Sequence, residues 1–250
     1  MKLIKQEKIN VKVEDQYTWS FDVPENGVYV ISISARCKNW LQNYKLLFND
    51  DDLAIQLDDY LFAEIKGKKG EFASPGSWNG NEIKNDIKNV LFILSLKTGI
   101  HKIKFWVDGQ PILKEIKIYK VDENEIDLMA SDMVAPGKFL DIILKNLKID
   151  KLGIQAKVGI DSKLEIKIDS KTEKNPKYKR FEKWYWYGRE LKGKSKEYTM
   201  PDIWDSEKHS LELKGQGKPE IESIKLKINL ENIVYSNGFI KLYKDIIPND

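Results

Sequence analysis

The sequence predicts an all-β protein built as two tandem β-sandwich, jelly-roll-like domains related by internal duplication. Apolar and polar residues alternate at period two along most of the chain, the pattern of strands with one face in a core. The alternating runs are short and separated by polar turns, without the regular helices of an α/β fold. The chain also matches itself at a constant offset of 108 residues. Trp78, Gly80, Glu82, Lys84, Lys88, His101, Gly109, Pro111, Ile116 and Lys117 recur as Trp186, Gly188, Glu190, Lys192, Lys196, His209, Gly217, Pro219, Ile224 and Lys225. These ten identities span 78–118 and 186–226 without a gap and include both histidines of the chain. A repeat of this length decides architecture before any local reading does.

Taken in order, residues 8–13 alternate, and 17–23 do so with aromatics on one face. Pro24-Glu-Asn-Gly27 turns the chain into a strong strand at 28–37. Asn49-Asp-Asp-Asp52 breaks it before a strand at 53–58, and a Lys/Gly segment at 66–70 leads to 72–78. Within 82–94, Ile83, Ile87, Val90, Leu91 and Leu94 stand at helical spacing. The repeat partner carries Gly193 and Pro201, a helix weakener and a helix breaker. A loop followed by a strand near 89–96 is therefore expected, to which the first copy adds a helical turn. Strands at 101–107 and 112–119 close the first unit around Asp108-Gly-Gln-Pro111.

The second unit repeats the scheme with strands at 140–147, 153–158, 164–169, 209–213 and 221–228. Its 164–169 run echoes 53–58 at an offset of 111, a loop-length difference of three residues. The expected division is a first domain at 1–122, a linker at 123–137, a second domain at 138–230 and a C-terminal extension at 231–250. Apolar residues persist to the end of the extension, which predicts a further domain beyond Asp250.

Composition narrows function. The 250 residues are 41% hydrophobic and 32% charged, with a net charge of only +3 and the two signs interleaved. Arg36, Arg180 and Arg189 are the only arginines, so the forks that read phosphates and bases are scarce and nucleic acid is not an expected partner. The single cysteine, Cys37, excludes an internal disulfide and reads as a buried strand thiol. Neither a signal peptide nor a membrane span is expected. The chain as given reads as cytoplasmic, and as cell-surface or secreted if it is a piece of a longer protein.

The first unit resembles the jelly-roll carbohydrate-binding modules of families six and thirty-five. The resemblance rests on Tyr17, Trp19 and Phe21, on Val23-Pro24-Glu-Asn-Gly27 followed by Tyr29, and on Thr98-Gly-Ile-His101-Lys-Ile-Lys-Phe105. Leu53–Asp59 matches the family's mid-domain motif in part. It covers most of 8–120 and, more weakly, 138–228. Accessory β-sandwich modules of bacterial surface and cell-wall proteins look similar. The resemblance implies a non-catalytic module that binds a glycan or cell-wall polysaccharide. It also implies early-strand calcium ligands, for which Glu7 and Glu14 are loose matches.

Sugar recognition requires flat aromatic faces for C–H surfaces, with amides or carboxylates for hydroxyls. Trp78-Asn79-Gly80-Asn81 offers that chemistry, and the second copy replaces it with Trp184-Tyr185-Trp186-Tyr187-Gly188-Arg189. If that aromatic run is a strand, Trp184 and Trp186 share one face and Tyr185 and Tyr187 the other. Residues retained in both copies, Trp78 with Trp186 and His101 with His209, read as structural. The ligand candidates are Trp40, Tyr44, Tyr60, Asn79, Asn81, Trp184, Tyr185, Arg189 and Trp204. Asn49-Asp50-Asp51-Asp52 reads as an exposed turn before a calcium loop, which leaves calcium as the one cofactor to weigh. Hydrolase, phosphate-loop and dinucleotide motifs are absent from the sequence, so no catalytic residues are expected. The alternatives carried forward are a structural or protein-interaction spacer and a hydrolase with an unrecognised carboxylate pair.

Overall fold

Period-two burial is plain in β2 (Tyr17–Val23), where Trp19, Phe21 and Val23 are buried and the residues between them are exposed. A strand of this kind covers a core with one face and meets solvent with the other. The computed structural model describes residues 1–14, 17–43, 49–66, 71–130, 132–135, 137–173, 175, 184–204 and 208–230, with the backbone alone at 65–66, 71 and 201–204.

The first half holds β1 (Lys2–Lys12), β2, β3 (Gly27–Arg36), β4 (Asp52–Leu57), β5 (Tyr60–Leu61), β6 (Ile65–Lys66), β7 (Glu71–Phe72) and β8 (Trp78–Asn79). A helical turn α1 (Gly80–Ile83) follows, then β9 (Lys88–Leu96), β10 (Gly99–Asp108) and β11 (Ile112–Val121). The second half holds β12 (Glu125–Asp127), β13 (Phe139–Lys145), β14 (Ile149–Lys157), β15 (Lys163–Ile168), β16 (Lys171–Thr172) and β17 (Trp186–Tyr187). It ends with α2 (Gly188–Leu191), β18 (Ser195–Trp204), β19 (Lys208–Gln216) and β20 (Glu220–Ile228). The protein is all-β, as its alternation predicts.

Strand order is the same in both halves. In the first, β1-β11-β3-β9 packs on β2-β10-β4-β5, with β8 beside β4. In the second, β12-β20-β14-β18 packs on β13-β19-β15-β16, with β17 beside β15. β9 then pairs in parallel with β13, so strands of both halves form one nine-stranded sheet. Within the stretch 123–137, Glu125–Asp127 forms β12 and pairs with β20.

The joint is a core. Every residue of β9 is buried, because both of its faces are covered. Val90, Phe92 and Leu94 pack with Trp19, Leu53 and Phe105, while Leu91 and Ile93 join Val28 and Val30 in the cluster of Ile142, Leu152 and Leu226. Each such side chain contributes about 1.5–3 kcal/mol by leaving water. The two halves are also tied by charge. Lys88 of β9 is 2% exposed, and its Nζ lies 2.7 Å from the equally buried Asp141 of β13. Burial lifts the Asp141 carboxyl above its usual range, against the pull of Lys88 and of the Gly76 N–H.

Two expectations need correction. The helical turn forms in both halves, since α2 matches α1. Gly193 falls just past the turn with φ +81°, where glycine helps to end a helix, and Pro201 lies ten residues beyond Leu191 in β18, an edge strand that tolerates it. The aromatic run at 184–187 does not split by alternation. Trp186 and Tyr187 are both buried and Trp184 and Tyr185 both half-buried, because β17 is two residues long and runs straight into α2.

Candidate functional site

The retained residues build the same local structure in each half. Trp78 and Trp186 are fully buried, and each indole N–H donates at 2.8 Å to a backbone carbonyl, of Lys88 and Lys196 respectively. A Cβ on Gly80 would sit 2.0 Å from the Lys38 carbonyl oxygen, and one on Gly188 would sit 1.8 Å from that of Gly159. Only glycine lets the chain pass so closely. His101 Nδ1 lies 2.8 Å from Asp58 Oδ2 and His209 Nδ1 3.0 Å from Asp169 Oδ2. The other oxygen of each aspartate accepts from the amide after the histidine, Lys102 or Ser210. The bond to Asp58 raises the His101 pKa above its ordinary value. Burial would lift Asp58, but its bond to His101 holds it below the usual carboxylate range. These groups hold strands in register.

The halves differ most in the loop that crosses above the helical turn. Gly80 approaches the carbonyls of Lys38 and Asp51, and Gly188 approaches those of Gly159 and Ser162. Between those equivalent points the first half inserts residues 39–50, and the second has only 160–161. The longer loop carries Trp40, 44% exposed, beside Leu41, 62% exposed. Its described residues 39–43 are pinned: Asn39 and Gln42 exchange side chain–backbone bonds at 3.0 Å, and Gln42 Nε2 donates to the Lys84 carbonyl. Asn43 Nδ2 donates to Asp51 Oδ1 at 2.6 Å. Trp40 N–H donates to Asn81 Oδ1 at 3.4 Å, and Asn81 N–H donates to Asp50 Oδ2 at 3.2 Å. Trp40 and Asn81, both predicted from sequence, are thus brought together with Asp50. Asn79 is nearby, but its side chain caps α1 by accepting from Glu82 N–H at 3.1 Å.

The other predicted residues are dispersed. Trp184 is half-buried and lines a groove of about 360 Å³ where the halves meet, with Lys163 Nζ 5.3 Å from its ring. Glu82 and Asp86 of the first half share that groove with Lys214 and Gln216 of the second. Tyr60 packs edge-on to Phe62 and lies 4.0 Å from Lys145 Nζ, also across the junction. Tyr185 packs against Trp186 and Tyr198. Arg189 is exposed on α2, at the repeat position of Asn81. Tyr44 lies outside the described residues, and Trp204 is described by its backbone alone. Trp106 was missed by sequence reasoning. It is half-buried on the outer face of β10, donates to Gln56 Oε1 at 3.1 Å and has Lys104 Nζ 4.1 Å from its ring. Strict alternation from the buried Phe105 was the signal for it.

The acidic residues are used by the fold. Asp51 accepts from Lys38 and Gln110 amides as well as Asn43, and Asp52 accepts from the Gly80 and Phe72 amides. Burial, with the neighbouring Asp50, pushes Asp52 up to about 7. Glu7 accepts from the Trp19 indole and Glu14 from Gln110 Nε2; both line a groove of about 530 Å³ along β1 with Tyr17. Among the described residues no cluster of three or more His, Cys, Asp or Glu is arranged to hold a metal ion. Among the described residues no helix is long and apolar enough to cross a membrane.

Fold and surface define an all-β, sandwich-type protein. Among solved structures the chain is similar to a family 35 carbohydrate-binding module from Clostridium thermocellum, at 16% identity over 45% of this chain and 73% of that one, with a TM-score of 0.26. It is similar to a carbohydrate-binding module of Cellvibrio mixtus lichenase 5A in complex with cellotriose, at 16% identity, 47% and 86% coverage and a TM-score of 0.24. The extracellular domain of ANXUR2 from Arabidopsis thaliana is similar at 8% identity, over 87% of this chain and 82% of that one, with a TM-score of 0.23. No family model matches the chain, and no curated protein matches it.

Proposed function

We propose that the chain is a non-catalytic glycan-binding protein made of two duplicated β-sandwich units, 1–122 and 138–230, whose ligand meets the Trp40 loop of the first. Matching strand order and the repeated Trp, Gly and His–Asp geometry support the duplication. One observation carries the function: Trp40 is an exposed indole on a pinned loop that the second half lacks. Exposing a large aromatic on a hydrogen-bonded segment is a recognition feature, because its backbone is held in place before the ligand arrives. Asn81 and Asp50 beside it supply amide and carboxylate groups for hydroxyls.

Leu41 beside Trp40 favours a second reading, a protein-interaction module, since a paired Trp and Leu suit an apolar partner surface. Affinity electrophoresis through gels containing soluble β-glucan, xylan, mannan or pectin separates the two. Retardation of the wild type by one of them, lost in Trp40→Ala at unchanged melting temperature, is the expected result. Equal mobility of wild type and Trp40→Ala in every gel contradicts glycan binding at this loop.

A further inference from the structure

The Trp40 loop and the junction groove meet on one helical turn. Asn81 of α1 accepts from Trp40 N–H, and the next residue, Glu82, lines the groove that holds Trp184. That groove needs both halves: Glu82 comes from the first, Trp184 and Gln216 from the second. Its charges are compensated in place. Glu82 pairs with Lys214, and Asp86 pairs with Lys138 at 3.0 Å. An ionic ligand would meet no net opposite charge, whereas a ligand rich in hydroxyls finds carboxylate, ammonium and amide partners around one indole. At about 360 Å³ the groove is in the range of small-molecule sites.

We propose that the Trp40 loop and the Trp184 groove are two ends of one composite site, which takes a neutral oligosaccharide chain running from the first half onto the second. The proposal rests on the glycan-binding reading above and sharpens it to a chain ligand. The two indoles would supply apolar platforms, with Asn81 and Glu82 of α1 linking the loop to the groove. A terminal sugar alone would engage one end.

Isothermal titration of the intact protein with cello-, xylo- and manno-oligosaccharides, as disaccharides and hexasaccharides, tests this. The hexasaccharide of one series should bind one-to-one and at least about tenfold tighter than its disaccharide. Trp40→Ala and Trp184→Ala should each weaken the hexasaccharide about tenfold, the effect of removing one well-packed aromatic anchor. Trp184→Phe, which keeps an aromatic face, should retain most of the affinity and report on folding. If Trp184→Ala binds the hexasaccharide as wild type does while Trp40→Ala does not, the composite site is overturned and the Trp40 reading stands. Two hexasaccharides per chain also overturn it. Failure of the wild type to bind any of these sugars overturns the composite site, and retention in the polysaccharide gels then decides the broader reading separately.

Discussion

The sheet β1-β11-β3-β9 and its counterpart β12-β20-β14-β18 share a strand order and have opposite surroundings. On the first, Val28, Val30, Leu91, Ile93, Tyr119 and Val121 point away from their own sandwich and are buried in the core of the second half. On the second, Lys151, Gly153, Gln155, Glu197 and Lys225 line a shallow outer groove of about 160 Å³. One repeated residue shows the contrast directly. Lys117 is buried, donating to the Asp132 carbonyl and paired with Glu115, whereas its partner Lys225 is exposed. A polar outer face ends the stacking of sheets on that side. Shared strand order thus goes with residues common to the halves, while packing differs where the residues differ.

The equivalence of the halves is most severely tested at the buried indoles. Trp78→Ala and Trp186→Ala should each destabilise the whole molecule by about 3–5 kcal/mol, measured by denaturant unfolding. A loss from one but not the other would break the equivalence. The junction comes next. Lys88→Met leaves Asp141 buried without its cation and should cost about 3 kcal/mol or more, whereas Lys88→Met with Asp141→Leu should recover most of the loss. If the single variant is neutral, the ion pair does not tie the halves.

The smallest effect is in pH dependence. The raised His101 pKa contributes stability that is complete below about 6.5 and is lost as pH rises through the folded value. The lowered Asp58 pKa contributes stability complete above about 3.8 and lost as pH falls through its folded value. Together they are fully present between those limits, and solvent screening keeps the sum to about 0.5–1 kcal/mol. His101→Gln should flatten the fall in stability as pH rises above about 6.5; an unchanged slope there contradicts the assignment.

Much of this was legible before the fold. Period two located the strands, because a half-buried strand must alternate, and the offset of 108 located the equivalent parts. β9 was harder to read, since burial on both faces erases alternation and leaves a helix-like run such as Ile87, Val90, Leu91 and Leu94. The helical turn of the second half was hidden by Gly193, which lies just past the C-cap Lys192 at φ +81° and so does not weaken the turn itself. Trp40 was legible as an aromatic outside the repeat. Its pairing with Asn81, 41 positions away, was not, because loop contacts leave no periodic trace. The same holds for the groove that joins Glu82 to Trp184.

If recognition lies where the halves differ, giving the first half the connection of the second, by replacing residues 39–50 with the Ile-Asp found at 160–161, removes it. Titration calorimetry of this variant against the polysaccharide that retards the wild type should show a folded protein with its binding lost, matching Trp40→Ala. Wild-type affinity in the shortened protein would contradict glycan binding at the Trp40 loop.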